Sequence, residues 1–154
     1  MKTTLRYAGG KSKAYKLITP YVTANKIVSP FIGGGSLESQ WALNAKVIGY
    51  DIFHPLTNYW NQLLNNNDEL VNQLKQLKPT KLEYNRVKSQ LLCWDYTQDM
   101  LKDWTTDYYK RDSITLTDTI AAAYYYFNHN LSYGPMYLGW MSKIYQSQKK
   151  WDKM

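Results

Sequence analysis

Two features of the sequence could do chemistry together. Phe31-Ile32-Gly33-Gly34-Gly35-Ser36 separates a short apolar run from a helical pattern, and Asp51 follows 18 residues after Gly33. Glycines adopt positive φ and let a backbone approach a ligand more closely than side chains allow. A carboxylate at the end of the next strand can accept both hydrogen bonds of a ribose diol. The G-x-G-x-x-G fingerprint is absent, because Leu37 and Glu38 follow Ser36. Without that pyrophosphate device, an adenosine ligand lacking phosphates fits better than a dinucleotide. The competing reading is a tight glycine turn beside a surface aspartate.

A second glycine element, Arg6-Tyr7-Ala8-Gly9-Gly10-Lys11, precedes the first. By itself it reads as a flexible N-terminal arm with a helix starting at Ser12. Other chemistry is thinly supplied. The single Cys93 excludes an internal disulfide and a cysteine-based zinc site, and its stretch Leu91-Leu92-Cys93-Trp94 reads as core. His54, before Pro55 in a loop, and His129, in a hairpin region, read as surface or packing residues.

The elements that must position these residues follow from pattern. Lys26 to Phe31 and Lys46 to Tyr50 read as strands, with Asp51 at the carboxyl end of the second. The glycines end the first strand, and Ser36 can cap a helix through Leu37 to Leu43. Strand, glycine turn, helix and strand imply a parallel pair with a right-handed crossover. Residues 11 to 23 read as a helix with Leu17, Ile18, Tyr21 and Val22 on one side. Six of the eight glycines fall before residue 50, and helical periodicity dominates from about residue 65 to 130. Asn65-Asn66-Asn67 reads as a turn. Leu70, Leu74 and Leu77 share a face, and Asp68 and Glu69 suit the start of that helix. Thr80-Lys81-Leu82-Glu83 is a capping box, and Thr117 can cap a helix through Ala121-Ala122-Ala123 and Tyr124-Tyr125-Tyr126-Phe127. Residues 56 to 130 form a helical unit grafted onto the strands.

Composition narrows the partners. The chain has 154 residues with net charge +7, which is enough for one ordinary domain. Aromatics reach 16%, too many for a disordered tail. No apolar run is long enough to span a membrane, and MKTTLRYAGGKSK has no apolar signal region, so a soluble, cytoplasmic protein is expected. Excess charge alone is compatible with a solvated lysine surface. Here aromatics interleave with the cations, as in Tyr108-Tyr109-Lys110-Arg111 and Lys149-Lys150-Trp151. Rings stack on bases while cations hold phosphates, which favours nucleic acid over membrane.

Taken together, the motifs resemble the Dam-type DNA adenine methyltransferases. Arg6 to Lys11 looks like their aromatic-x-Gly-Gly-Lys motif, and Ser29 to Ser36 like their Phe-x-Gly-x-Gly-Ser motif. Gly49-Tyr50-Asp51-Ile52 resembles the acid-bearing strand end, and Asn58-Tyr59-Trp60, Phe127-Asn128-His129 and Tyr133-Gly134 continue the order. The resemblance runs from about residue 5 to 140. It implies an α/β, partial Rossmann-like methyltransferase fold, with a cofactor-binding subdomain over 1–55 and a mostly helical DNA-recognition region over 56–154. The implied cofactor is S-adenosylmethionine, held by Tyr7, Lys11, Phe31, Gly33, Gly34, Gly35, Ser36 and Asp51. The implied partner is double-stranded DNA, with Arg6, Tyr133, Tyr137 and Lys143 as candidate contacts. The base-reading arginine of the family's hairpin has no evident counterpart, so the recognition sequence does not transfer.

The family's catalytic Asp-Pro-Pro-Tyr is missing: Pro20, Pro30, Pro55, Pro79 and Pro135 are each isolated. In the family that motif accepts the amino hydrogens of adenine and stacks on the flipped base. Three expectations follow for this chain: a fragment of a methyltransferase, one subunit completed by a second chain that supplies the catalytic strands, or a binding or regulatory module without chemistry. A two-stranded parallel sheet also leaves edges and a face to cover, which favours association.

Overall fold

A computed structural model describes residues 3–97 and 116–154. The Tyr108 to Arg111 cluster lies outside the described residues.

After an N-terminal arm, the chain makes a one-turn helix α1 (Tyr15–Ile18), strand β1 (Lys26–Ser29), helix α2 (Glu38–Trp41) and strand β2 (Lys46–Gly49). Helices α3 (His54–Asn65), α4 (Asn67–Gln76), α5 (Lys81–Thr97) and α6 (Asp118–Leu131) follow, and α7 (Gln148–Trp151) ends the chain. β1 and β2 pair in parallel, with Lys26 opposite Lys46 and Ser29 opposite Gly49. The mixed architecture of helices with a short parallel sheet is compatible with the expected methyltransferase class. The first strand stops two residues early, because Pro30 has no N–H for the ladder. Pairing resumes once beyond it, where Ile32 N–H donates to the Tyr50 carbonyl at 2.8 Å.

α6 is the central element. Its Ala122, Ala123, Phe127 and Leu131 pack against Leu56 and Tyr59 of α3, Leu70 of α4, and Tyr84, Val87 and Leu91 of α5. The alanines let neighbouring helices approach closely, and nearly every turn of α6 is buried. The Thr117 hydroxyl accepts the Ile120 N–H at 3.4 Å, the expected N-cap. Thr80 does the same for Glu83 N–H at 3.2 Å. Its Glu83 partner turns outward to Arg86 instead of completing the reciprocal box. Asn66 separates α3 from α4 as the expected turn.

Five local expectations are corrected. Residues 11–23 are not one helix: 3₁₀ turns at Ser12–Ala14 and Thr19–Tyr21 flank α1. Pro20 lacks the N–H that would bond the Lys16 carbonyl, so the α-helix cannot continue. Leu17 and Tyr21 are therefore exposed and do not share a packed side. Ser36 does not cap α2, whose N-cap is Leu37. His54 opens α3, with Pro55 pre-set for the first helical turn, and its ring lies 5.2 Å from that of Trp94. His129 lies on α6 and is buried, while Cys93 is only half-buried.

Candidate functional site

The site forms where the N-terminal arm, the β1–α2 loop and the end of β2 meet. Gly33 and Gly35 have φ of +49° and +60°, the left-handed region that glycine adopts without strain. This folds the loop back, and the Gly33 N–H donates to Asp51 Oδ2 at 3.1 Å. Asp51 Oδ1 accepts the Phe53 N–H at 3.0 Å, at the entry to α3. The glycine loop and the acid are thus joined directly. Each carboxylate oxygen keeps a second lone pair for another donor.

The two glycine elements, read separately in the sequence, are one unit. The Lys11 N–H donates to the buried Ser36 Oγ at 2.8 Å, which is the role Ser36 takes in place of capping. The Thr3 hydroxyl donates to the Gly34 carbonyl. The Tyr7 ring lies across Gly33 and Gly34, and a Cβ at Gly34 would come within 2.9 Å of Tyr7 Cγ. At Gly35 a Cβ would come within 2.6 Å of the Trp60 ring. Trp60 Nε1–H also donates to the Gly33 carbonyl at 3.0 Å. Gly34 and Gly35 are therefore required first by two of the chain's own aromatic rings. Lys11 Nζ donates to the Gly9 carbonyl at 2.7 Å on the surface, and Phe31 is 84% exposed.

Beside this junction lies a mainly apolar cavity of about 530 Å³. Gly35 and Asp51 line it, with Ile32, Tyr50, Trp60 and Leu64 among the others. Its volume falls within the range of small-ligand sites. Burial, and secondarily the Asp51 charge, raises the Tyr7 pKa and keeps the phenol neutral. Among the described residues, no group of three or more His, Cys, Asp or Glu could hold a metal ion.

The second face is the segment after α6. Tyr133 and Met141 flank a hairpin-like loop in which Tyr133 N–H donates to the Trp140 carbonyl at 2.7 Å. Ser132 Oγ donates to the His129 carbonyl at 2.8 Å and accepts from Met136 N–H at 2.8 Å. Asn128 Oδ1 accepts the Leu138 N–H at 2.7 Å, and Leu138 holds φ +55°. The loop is thus pinned to the helical core. Tyr133 and Lys143 are exposed, whereas Tyr137 packs its ring 5.1 Å from Phe53. Arg6 is committed inside the fold: its Nη1 donates to the Asn130 carbonyl at 2.5 Å, and its guanidinium lies 4.4 Å from the Tyr145 ring centroid.

A family model for D12 class N6 adenine-specific DNA methyltransferases matches residues 7–151. The chain belongs to this family. A comparison with curated proteins gives no match. The match spans both faces just described, from Tyr7 to Trp151. Among the described residues, no helix is long and apolar enough to cross a membrane. Thr3 and Asn130 of the junction carry no signal in sequence, and His129 is read there only within Phe127-Asn128-His129 and as a packing candidate. Trp60 lies within Asn58-Tyr59-Trp60, which fits the family order, but its place against Gly35 could not be read from it.

Proposed function

We propose that this chain provides the cofactor-binding and DNA-recognition parts of a DNA adenine methyltransferase. The reading assigns residues 1–55 to a Rossmann-like cofactor subdomain and 56–154 to recognition. Its strongest support is the Asp51–Gly33 bond, which brings both candidate ligand-binding segments to one point beside a cavity of nucleoside size. The donor set fits S-adenosylmethionine: Asp51 has lone pairs for the ribose hydroxyls, and the apolar wall of the cavity suits an uncharged ring. Tyr7 and Lys11 would face the methionine end, where the ammonium opposes a carboxylate, and Phe31, Gly33 to Gly35 and Ser36 would form the loop beneath. When bound, the cofactor supplies the methyl group as an electrophile. Tyr133 and Lys143, exposed on the pinned hairpin, offer stacking and phosphate contacts to double-stranded DNA. Arg6 and Tyr137 would contribute by holding that hairpin and arm in place, with any DNA contact made through their remaining exposed surface.

The amino group of adenine is a poor nucleophile and needs acceptors for its hydrogens. The sequence contains no Pro-Pro pair, and so no Asp-Pro-Pro-Tyr. Methyl transfer on this reading requires catalytic strands in addition to these residues, supplied by a longer form of the chain or by a second one. The same absence supports a second reading, in which the chain is a DNA-binding or regulatory module without catalysis.

Calorimetric titration with S-adenosylmethionine, and a methyl-transfer assay on adenine-containing duplex with and without a completing chain, separate the two. Weak cofactor binding is expected from the chain alone, because part of the ligand stays solvated. Asp51→Ala should weaken it further, by about tenfold or more, as a charged hydrogen-bond acceptor is lost. Binding unaffected by Asp51→Ala would place the site elsewhere. Methylation by the chain alone would overturn the argument from the missing motif. DNA binding with no transfer under any pairing would favour the module.

A further inference from the structure

His129 sits near the end of α6, 123 residues from Arg6, yet the two are bonded: His129 Nε2 lies 2.6 Å from the Arg6 carbonyl oxygen. A carbonyl only accepts, so Nε2 carries the proton and donates. That defines the tautomer and leaves Nδ1 as a buried acceptor with no hydrogen-bond partner among the described residues. The imidazole is 4% exposed, and its ring stacks on Tyr7 at 5.7 Å between centroids and 23° between planes. Tyr7 in turn covers Gly33 and Gly34. The neighbouring Asn130 Oδ1 accepts the Arg6 N–H at 3.0 Å, so consecutive residues of α6 grip the backbone on both sides of Arg6. An imidazole buried with one nitrogen unpaired is costly, and packing alone would be served better by an apolar ring.

We propose that His129 is a positioning residue for the candidate cofactor site, holding Tyr7 against Gly33 and Gly34 from the helical side of the molecule. The relevance of that role to the cofactor rests on the methyltransferase reading above. The geometry makes the helical region part of the site's architecture: without α6, the arm has no fixed place for the Tyr7 ring, and the loop loses its lid.

The test uses the full chain labelled with ¹⁵N-glycine, whose eight glycines give a sparse amide spectrum. Gly33 and Gly34 report the Tyr7 ring, and Gly49 on β2, where a Cβ would meet Ile32, serves as the reference. His129→Ala is expected to shift the Gly33 and Gly34 resonances and leave Gly49 in place. His129→Gln retains an N–H donor for the Arg6 carbonyl and should return both signals most of the way. His129→Phe keeps a ring face without the donor and should shift them again, which preserves the test if the alanine variant does not fold. Titration with S-adenosylmethionine should then show affinity about tenfold weaker in the alanine or phenylalanine variant than in wild type. Unmoved Gly33 and Gly34 signals in a folded Ala or Phe variant would overturn the proposal, as would a glutamine variant indistinguishable from them. Glycine signals that follow the variants while S-adenosylmethionine moves none in wild type would uphold the positioning role and reject the cofactor reading.

Discussion

The two regions of the molecule are built by different means. From residue 56 onward, four helices enclose a core of Leu56, Tyr59, Leu70, Val87, Leu91, Phe127 and Leu131, each nearly inaccessible to solvent. Before it, among the described residues, Leu5, Leu37 and Pro55 are the buried apolar side chains, and Leu5 belongs to the helical core. On the sheet, Val28 is 57% and Tyr50 59% exposed. A parallel sheet ordinarily has both faces covered, so this one carries little stability of its own. The glycine half is instead attached to the helices by specific contacts: Tyr59 Oη–H to Thr4 at 2.8 Å, Trp60 to Gly33, and Arg6 and Tyr7 to α6. The candidate site thus sits on the weaker region and is held in shape by the stronger one.

The comparison makes its largest demand on the core. Phe127→Ala should cost about 3–5 kcal/mol in urea unfolding, since a fully buried ring leaves a cavity. Val28→Ala should cost well under about 1 kcal/mol, as expected at an exposed position. Equal losses would show that the sheet is as tightly built as the helices.

The junction should respond next. Gly35→Ala forces a side chain into the left-handed region and against Trp60, and is expected to cost about 1–3 kcal/mol. A neutral result, measured by the same unfolding, would mean that the loop moves freely relative to α3.

His129 sharpens the comparison through pH. Burial lowers its pKa below the ordinary 6.5, so the unfolded chain binds the proton more readily. The corresponding stability is complete above pH 6.5 and is lost as pH falls through the folded-state value. The slope is at most about 1.4 kcal/mol per pH unit. Unfolding followed between pH 7 and 5 should show this component in wild type and not in His129→Gln. An unchanged slope in the variant would assign the pH dependence to other groups.

The smallest effect is expected at the surface of α5. Glu83 and Arg86 form a largely solvent-accessible pair at 2.6 Å, and the arginine's hydrogen bonds, with a smaller part from its charge, lower the Glu83 pKa. Glu83→Gln should change stability by no more than about 0.5 kcal/mol, because solvent screens such pairs. A larger loss would indicate that the Arg86 contact with Tyr124, which reaches α6, depends on Glu83.

Sequence alone determined what depends on neighbours along the chain. The parallel strands, the helical region, the Thr80 and Thr117 caps, the Asn66 turn and the strand-end position of Asp51 all follow from periodicity, capping chemistry and glycine placement. The ordered motifs also indicated the adenine methyltransferase family. Where local rules competed, they misled: Pro20 broke a helix whose apolar spacing read as continuous, and Ser36, suited to a cap, was drawn to the Lys11 N–H. Tertiary structure decided what depends on distance through space. That Gly34 makes room for Tyr7 and Gly35 for Trp60, that Arg6 is folded against Asn130, and that His129 reaches the arm are contacts between residues separated by 25 to 124 positions. Single-residue preferences carry no information about such partners, because each is set by how the helices pack against the arm and the loop.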